Sequence, residues 1–353
     1  MNNNIHILHL VVCWLFIIAV LLPLVKNDYW IFRILEYPRY QKLVLCSAVF
    51  ISFVIGVDYT NTFDFITLTI LALCVIYLVV KIWPYTIMSP KEMKGIQPLH
   101  TKNQVKLFSA NVFQDNDQYE RMLAQIRQQD PDVILLLETN KVWEKQMDVL
   151  MKDYPNTLKE PLENTYGMLF YTRFEIIEGT INYLVEKDVP SLEATLKLPS
   201  GQLVKTWGLH PKPPVPGEND RSTAKDKELM KVAFKAKREM LPVIIMGDLN
   251  DVAWSYVSGL FRKTSGLLDP RRGRGFYSTF SSNYWFMRFP LDYIFCSAHF
   301  GLVSMRRLGK NGSDHFAMFS HFEFQPVLEI IQEKPKEDAE EMQEAAGKAS
   351  QPV

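Results

Sequence analysis

The chain has 353 residues, 39 Lys and Arg against 39 Asp and Glu, a formal net charge of zero and 48% hydrophobic residues. That length is a prior of about two domains, and the charge balance argues against a broad basic face for long nucleic acid. Of the four cysteines, Cys13, Cys46 and Cys74 fall in apolar N-terminal runs and Cys296 lies alone beyond them, which excludes a disulfide framework there.

The N-terminal region is unlike the rest. Ile5 to Val25 is apolar apart from His6 and His9, Leu43 to Val57 is uncharged, and Phe65 to Val80 is a third such run. Each approaches the roughly twenty residues that cross a bilayer, and the flanking Tyr40-Gln41 and Trp83-Pro84 lengthen the last two. Met1-Asn2-Asn3-Asn4 carries no Lys or Arg and no small-residue cleavage site follows the first run, so a signal peptide is disfavoured. Residues 1–87 are therefore predicted to form three transmembrane helices. Lys26, Arg33, Arg39 and Lys42 lie in the first loop, no basic residue lies between Asp58 and Asp64, and Lys81, Lys91, Lys94 and Lys102 follow the third helix. By the positive-inside rule the first loop and the soluble domain are inside, which predicts an inner-membrane protein of bacterial type with a cytoplasmic domain. Tyr29, Trp30 and Tyr37 give the first loop the character of an interfacial helix.

Residues 88–102, with Pro90, Gly95 and Pro98, read as a linker, and residues 103–326 as one mixed domain. Val105 to Val112 is an apolar strand carrying Asn111 at its end, and Tyr119 to Gln129 an amphipathic helix with Met122, Leu123 and Ile126 on one face. Asp132 to Leu137 is a strand that runs into Glu138. Gly167 to Tyr171 and Ser191 to Leu196 are further strands, and Leu203 to Leu209 is a strand that ends in His210 before Pro211. A charged helix over Arg221 to Glu239 feeds the strand Ile244 to Gly247, which exits through Asp248-Leu249-Asn250. Leu268 to Tyr277 gathers Arg271, Arg272 and Arg274 with two glycines in one loop. Pro290 to Phe295 opens a strand with Asp292, Gly312-Ser313-Asp314-His315 follows, and residues 327–353 form a charged tail without aromatics, predicted to be disordered apart from a short helical stretch over Asp338 to Ala346.

Singly, each polar tip has a bland reading as a turn, cap or surface residue. Jointly they place carboxylates, amides and imidazoles at the ends of successive strands. A carboxylate at such an exit holds a cation or a water, an amide hydrogen-bonds a phosphoryl oxygen without adding charge, and an Asp-His pair polarises a nucleophile or binds an oxyanion.

The ordered set Asn111, Glu138, His210, Asp248-x-Asn250, Asp292 and Asp314-His315 resembles the endonuclease/exonuclease/phosphatase superfamily over roughly residues 103 to 326. The resemblance implies a four-layer α/β sandwich, two facing mixed sheets flanked by helices, preceded here by the three-helix segment. It implies Mg2+, with Mn2+ able to substitute, held chiefly by Glu138 with Asn111 and Asp314. Asp248 would position or deprotonate the attacking water, Asn250 would bind the phosphoryl oxygen, and Asp292 would hold His315 in its tautomer. His210 would be a second phosphate-side histidine, a feature of the deoxyribonuclease I and phosphatase branches. Arg271, Arg272 and Arg274 are expected to overhang the site and bind substrate phosphate.

The expected activity is hydrolysis of a phosphodiester in a nuclease-like manner by a membrane-anchored enzyme, with no obligate protein partner. A lipid-headgroup phosphatase or sphingomyelinase-type phospholipase is the alternative, and a non-catalytic membrane scaffold the third class.

Overall fold

The computed structural model describes residues 3–56 and 59–353. Met1 and Asn2 ahead of the first apolar run, and Val57 and Asp58 where the second run meets the turn lacking basic residues, lie outside the described residues. Four helices open the chain: α1 (Asn3–Leu21), α2 (Trp30–Ile34), α3 (Arg39–Gly56) and α4 (Thr62–Ile82). Three spans, Asn4–Leu24, Arg39–Gly56 and Thr62–Tyr85, are long and apolar enough to cross a membrane. They pack on one another through Cys13, Ile17, Cys46, Phe53, Leu71 and Leu78. Their outer faces leave side chains such as Leu8, Ile55 and Ile76 exposed, the surface that a lipid solvent requires. The Asn61 side chain starts α4 by accepting from the Phe63 amide at 2.9 Å.

The remainder alternates strands and helices: β1 (Gln104–Asn111), α5 (Tyr119–Gln129), β2 (Val133–Leu137), α6 (Lys141–Met147), β3 (Asn156–Glu160), β4 (Met168–Thr172), β5 (Glu175–Asn182), β6 (Ser191–Lys197), β7 (Leu203–Leu209), α7 (Thr223–Arg238), β8 (Val243–Asp248), α8 (Tyr256–Ser265), β9 (Asp292–Cys296), β10 (Phe300–Arg307), β11 (Met318–Phe324), α9 (Leu328–Ile331) and α10 (Ala339–Ser350). One sheet has the order β10-β11-β1-β2-β4-β3 and the other β5-β6-β7-β8-β9. β1 and β2 run parallel in the first and β7 and β8 in the second, while the other pairings are antiparallel. Central strands covered on both faces need apolar side chains throughout, which is why β2 reads Val-Ile-Leu-Leu-Leu.

Alternation along each strand builds the layers. Leu107, Leu135 and Phe170 of one sheet meet Ala194, Met246 and Ile294 of the other between the sheets. Phe108 and Ile134 turn outward onto Met122, Leu123 and Trp143 of α5 and α6, and Trp207, Ile245 and Phe295 onto Leu229 and Phe261 of α7 and α8. The result is the four-layer α/β sandwich preceded by three apolar helices.

Two stretches depart from expectation. The segment read as a linker is packed: Met93 is fully buried between the sheets, and the Ile96 amide donates to Leu302 O at 2.9 Å, extending the edge at β10. The charged tail, read as disordered apart from a short helix over Asp338 to Ala346, carries that helix as the longer α10 and also α9. Asp338 and Glu341 form a reciprocal capping box at the start of α10, and Ala345 buries against α7 and α8, so a small apolar stripe and a cap suffice to fix a helix whose composition looks disordered.

Candidate active site

The two parallel pairs, one in each sheet, deliver their polar ends to the same place. Asn111 closes β1, Glu138 follows β2, His210 follows β7 and Asp248 closes β8. Asp292 opens β9 directly opposite Asp248 in the ladder. Glu138 and Asn250 sit at φ 59° and 48°, a left-handed conformation that costs non-glycine residues and concentrates at functional positions. Gly247, at φ 142°, lets β8 approach β7 so closely that a Cβ there would lie 2.0 Å from Leu209 O.

Asn111 Nδ2 donates to Glu138 Oε1 at 2.7 Å and to Asp248 Oδ2 at 3.2 Å. His315 Nδ1 meets Asp292 Oδ2 at 2.9 Å, and its Nε2 faces Asp248 Oδ2 at 3.6 Å. His210 Nε2 lies 4.0 Å from both Glu138 and Asp248. Asp248 Oδ1 accepts from the Asn250 amide at 2.9 Å, and the Asn250 side chain donates to Pro211 O at 2.9 Å. Glu138, Asp248, Asn250, Asp314 and His315 line one cleft of about 600 Å3.

The two histidines are driven apart. Burial pushes His210 down to about 4, with Asp248 only partly opposing it, so it is neutral. Burial also acts downward on His315, but Asp292, Asp248 and Asp314 outweigh it and carry the imidazole up to about 10, so it is a cation. Glu138 is raised to about 7, by burial first and then by Asp314 and Asp248 against the Asn111 hydrogen bond and His315.

That donor set fits a hard cation. No Lys or Arg pairs with Glu138, Asp248, Asp292 or Asp314 among the described residues, and oxygen donors are what Mg2+ takes. Asp248, Asp292 and His315 also present ligand atoms within 4.8 Å of one another. Asp292 belongs to that trio while its Oδ2 holds His315 Nδ1 at 2.9 Å, its Oδ1 having no hydrogen-bond partner among the described residues. The Asn111 amide oxygen accepts from the Phe113 N–H at 3.0 Å, and its Nδ2 steadies Glu138.

The arginine loop departs furthest. Arg271 is buried, pairs with Asp269 at 2.8 Å and stacks over Tyr293 at 3.9 Å. Arg272 pairs with Glu92 at 3.0 Å, and Arg274 donates to Pro270 O at 3.0 Å. None of the three lines the cleft. Their charge is spent internally, holding the packed 88–102 segment and the β9 end.

Other residues of the site went unread in sequence. Ser313 Oγ donates to Asn111 O at 2.8 Å and accepts from the His315 amide at 3.0 Å, tying β1 to the His315 loop. Gly312 permits this turn, since a Cβ there would meet Asn116 Oδ1 at 2.2 Å. Tyr37, between α2 and α3, donates through Oη to Asn250 O at 2.7 Å. Ser313 stood inside a motif already noticed, whereas Tyr37 gave no signal that it would reach the site.

Residues 108–315, more than half of the chain, match the Endonuclease/Exonuclease/phosphatase family. The chain belongs to this family. No curated protein matches it in sequence. Among solved structures, D. rerio TDP2 complexed with a single-strand DNA product is similar at TM-score 0.52 and 20% identity, covering 62% of this chain and 99% of that one. The human Nocturnin catalytic domain with bound sulfate gives TM-score 0.52 and 17% identity over 64% and 97%. An endonuclease/exonuclease/phosphatase family protein from Bacteroides thetaiotaomicron gives 0.52 and 19% over 65% and 100%. At these identities the likeness is one of fold. The family's members hydrolyse phosphate esters, and this member carries acidic and imidazole groups on one cleft in keeping with that chemistry.

Proposed function

We propose that the chain is a membrane-anchored, divalent-metal-dependent phosphoesterase that cleaves a phosphodiester bond. The observation that carries this reading is the grouping of Asn111, Glu138, His210 and Asp248, at the exits of β1, β2, β7 and β8, with the hydrogen-bonded His315–Asp292 pair, Glu138, Asp248 and His315 lining one cleft.

Glu138 and Asp314 would hold a cation such as Mg2+, which supplies Lewis-acid stabilisation of the charge developing on the phosphoryl group. Asp248, fixed by the Asn250 amide and Asn111, is placed to orient a water and take its proton. His315, kept protonated and aligned by Asp292, offers a charged N–H to a phosphoryl oxygen. His210, kept neutral, offers an uncharged one, so the pair stabilises negative charge without competing for the water's proton. Asn250 completes the oxyanion contacts.

The test is hydrolysis of methyl 4-nitrophenyl phosphate by the full-length chain in a maltoside detergent, with magnesium and with a chelator. Glu138→Gln keeps the shape and removes the charge, and should cut kcat/KM by about 10³-fold, the scale of several kcal/mol of lost metal stabilisation. Unchanged turnover together with unchanged magnesium affinity by calorimetry would overturn the assignment.

A further inference from the structure

The cleft that holds the carboxylates is mostly apolar, and one wall comes from the segment between the first two apolar spans. Ile34 and Leu35 of the α2 turn, with Pro38 and Gln41 at the start of α3, line it together with Phe286 and Met287. Glu138, Asp248, Asn250, Asp314 and His315 line the same space. No Lys or Arg lines it, although a groove for a nucleic-acid backbone needs cations to replace the counterions of successive phosphates.

The loop that brings Phe286 and Met287 to the cleft is equally unusual. Tyr284, Trp285, Phe286 and Met287 are four consecutive large apolar residues, all exposed, with Trp285 at 79%. They are held at a definite depth, because Gln41 Nε2 donates to Phe286 O at 2.9 Å, and Gln41 lies in the first turn of α3, a helix able to cross a membrane. An aromatic run at the level where a span enters the bilayer matches the preference of Trp and Tyr for the membrane interface. An apolar passage therefore leads from the interface to the strand exits, lined by side chains that a wholly polar substrate would leave unused.

We infer that the substrate is an amphipathic phosphodiester drawn from the bilayer, whose hydrocarbon chain lies between the α2–α3 turn and the Tyr284–Met287 loop while its phosphate reaches Glu138, Asp248 and His315. This rests on the phosphoesterase reading above and names its substrate class. In the reaction the oxygen of water bonds to phosphorus and one ester P–O bond breaks. The departing oxygen takes up a proton, giving one alcohol and one phosphate monoester with no other reactant.

Two esters with the same leaving group separate the possibilities: methyl and hexadecyl 4-nitrophenyl phosphate, given to the full-length chain with magnesium in a maltoside detergent that carries no phosphate. The hexadecyl ester should be favoured in kcat/KM by at least about 100-fold, since burying even a few methylenes is worth that much. Phe286→Asp and Ile34→Gln, both lining the cleft, should each reduce the preference to within about 10-fold, with cooperative thermal unfolding confirming that each variant folds. Binding of non-hydrolysable hexadecyl methylphosphonate, measured by calorimetry without turnover, should weaken in the same two variants. Equal rates on both esters, or faster cleavage of a single-stranded DNA oligonucleotide than of the hexadecyl ester, would overturn the lipid assignment and leave the phosphoesterase intact. Tight binding of the phosphonate with no hydrolysis of either ester would support lipid recognition and overturn the phosphoesterase reading instead.

Discussion

Buried charge is handled in opposite ways at the strand exits and at the junction between the α2 segment and the sandwich. At the junction the charges nearly balance and every one has a partner: Arg39 with Glu36 at 2.8 Å, Lys225 with Asp251 at 3.3 Å, Lys348 with Asp226 at 2.9 Å, and Arg33 with Asp226 at 3.7 Å. At the exits, Glu138, Asp248, Asp292 and Asp314 share one cationic imidazole. Desolvated charge is tolerated only when it is compensated, so a self-sufficient network is architecture, whereas a carboxylate excess is a site that takes its missing charge from a ligand. Glu228 on α7 represents a third solution. It is buried, its Oε1 has no hydrogen-bond partner, and burial with Glu186 nearby pushes it up to about 8 against Lys231, so it stays protonated.

The comparison breaks most visibly at the exits. If His315 and Asp292 work as one unit, His315→Ala and Asp292→Asn should each lower kcat by about 10³-fold, and the double variant should be little worse than either. Strictly additive losses in steady-state kinetics would mean that the 2.9 Å hydrogen bond does not couple them.

At the junction the expected loss is in stability. Glu36→Ala leaves Arg39 buried without its carboxylate, while Arg33 keeps Asp226 at 3.7 Å, and should cost about 3–5 kcal/mol in denaturant unfolding of the detergent-solubilised chain. Because Tyr37 next to it contacts Asn250, some loss of turnover should accompany the loss of stability. A change under about 0.5 kcal/mol, the range of an ordinary surface substitution, would show that the junction is not the rigid network its distances describe.

Much of the site was legible in sequence because each polar tip terminates a local apolar run: Glu138 after Val133–Leu137 and Asp248 after Val243–Gly247 need no knowledge of the rest of the chain. What was not legible depends on distant partners. Arg271, Arg272 and Arg274 have the same local pattern whether they face phosphate or pair with Asp269 and Glu92, and only the fold decides. Strand β5 is an edge strand with mostly exposed side chains, so it lacks the apolar run that marked its neighbours. The apolar cleft wall joins residues near 35 to residues near 286 across the chain, and Tyr37 reaches Asn250 over a separation of 213 positions.

Glu228 sharpens the comparison through pH. Its folded pKa of about 8 lies above the ordinary 4.5, so the native state holds a proton that the unfolded chain releases. The associated stability is fully present below about pH 4.5, declines as pH rises, and is lost above about pH 8. Glu228→Gln should abolish this slope and stabilise the chain at pH 8 by a few kcal/mol. Denaturant midpoints between pH 5 and pH 9 decide it. An unchanged slope would place the pH dependence elsewhere, the His315 pair being the next source because its cation is lost only as pH rises toward about 10.

The charges of the C-terminal helix should matter least, and in a particular order. Lys237 pairs with Glu337 on the surface, where solvent screening and side-chain entropy leave a pair worth about 0–1 kcal/mol. The Asp338 cap, by contrast, satisfies one of the backbone N–H groups left without a helical partner at the start of α10, accepting from the Glu341 amide at 2.9 Å. Lys237→Met should therefore shift stability by less than about 0.5 kcal/mol, and Asp338→Ala should cost about 1 kcal/mol. Thermal unfolding of the two variants against the parent chain measures the difference. A larger loss from Lys237→Met than from Asp338→Ala would mean that α10 is held by its surface charge, and that the line drawn between paired charge as architecture and unpaired charge as function fails at its weakest point.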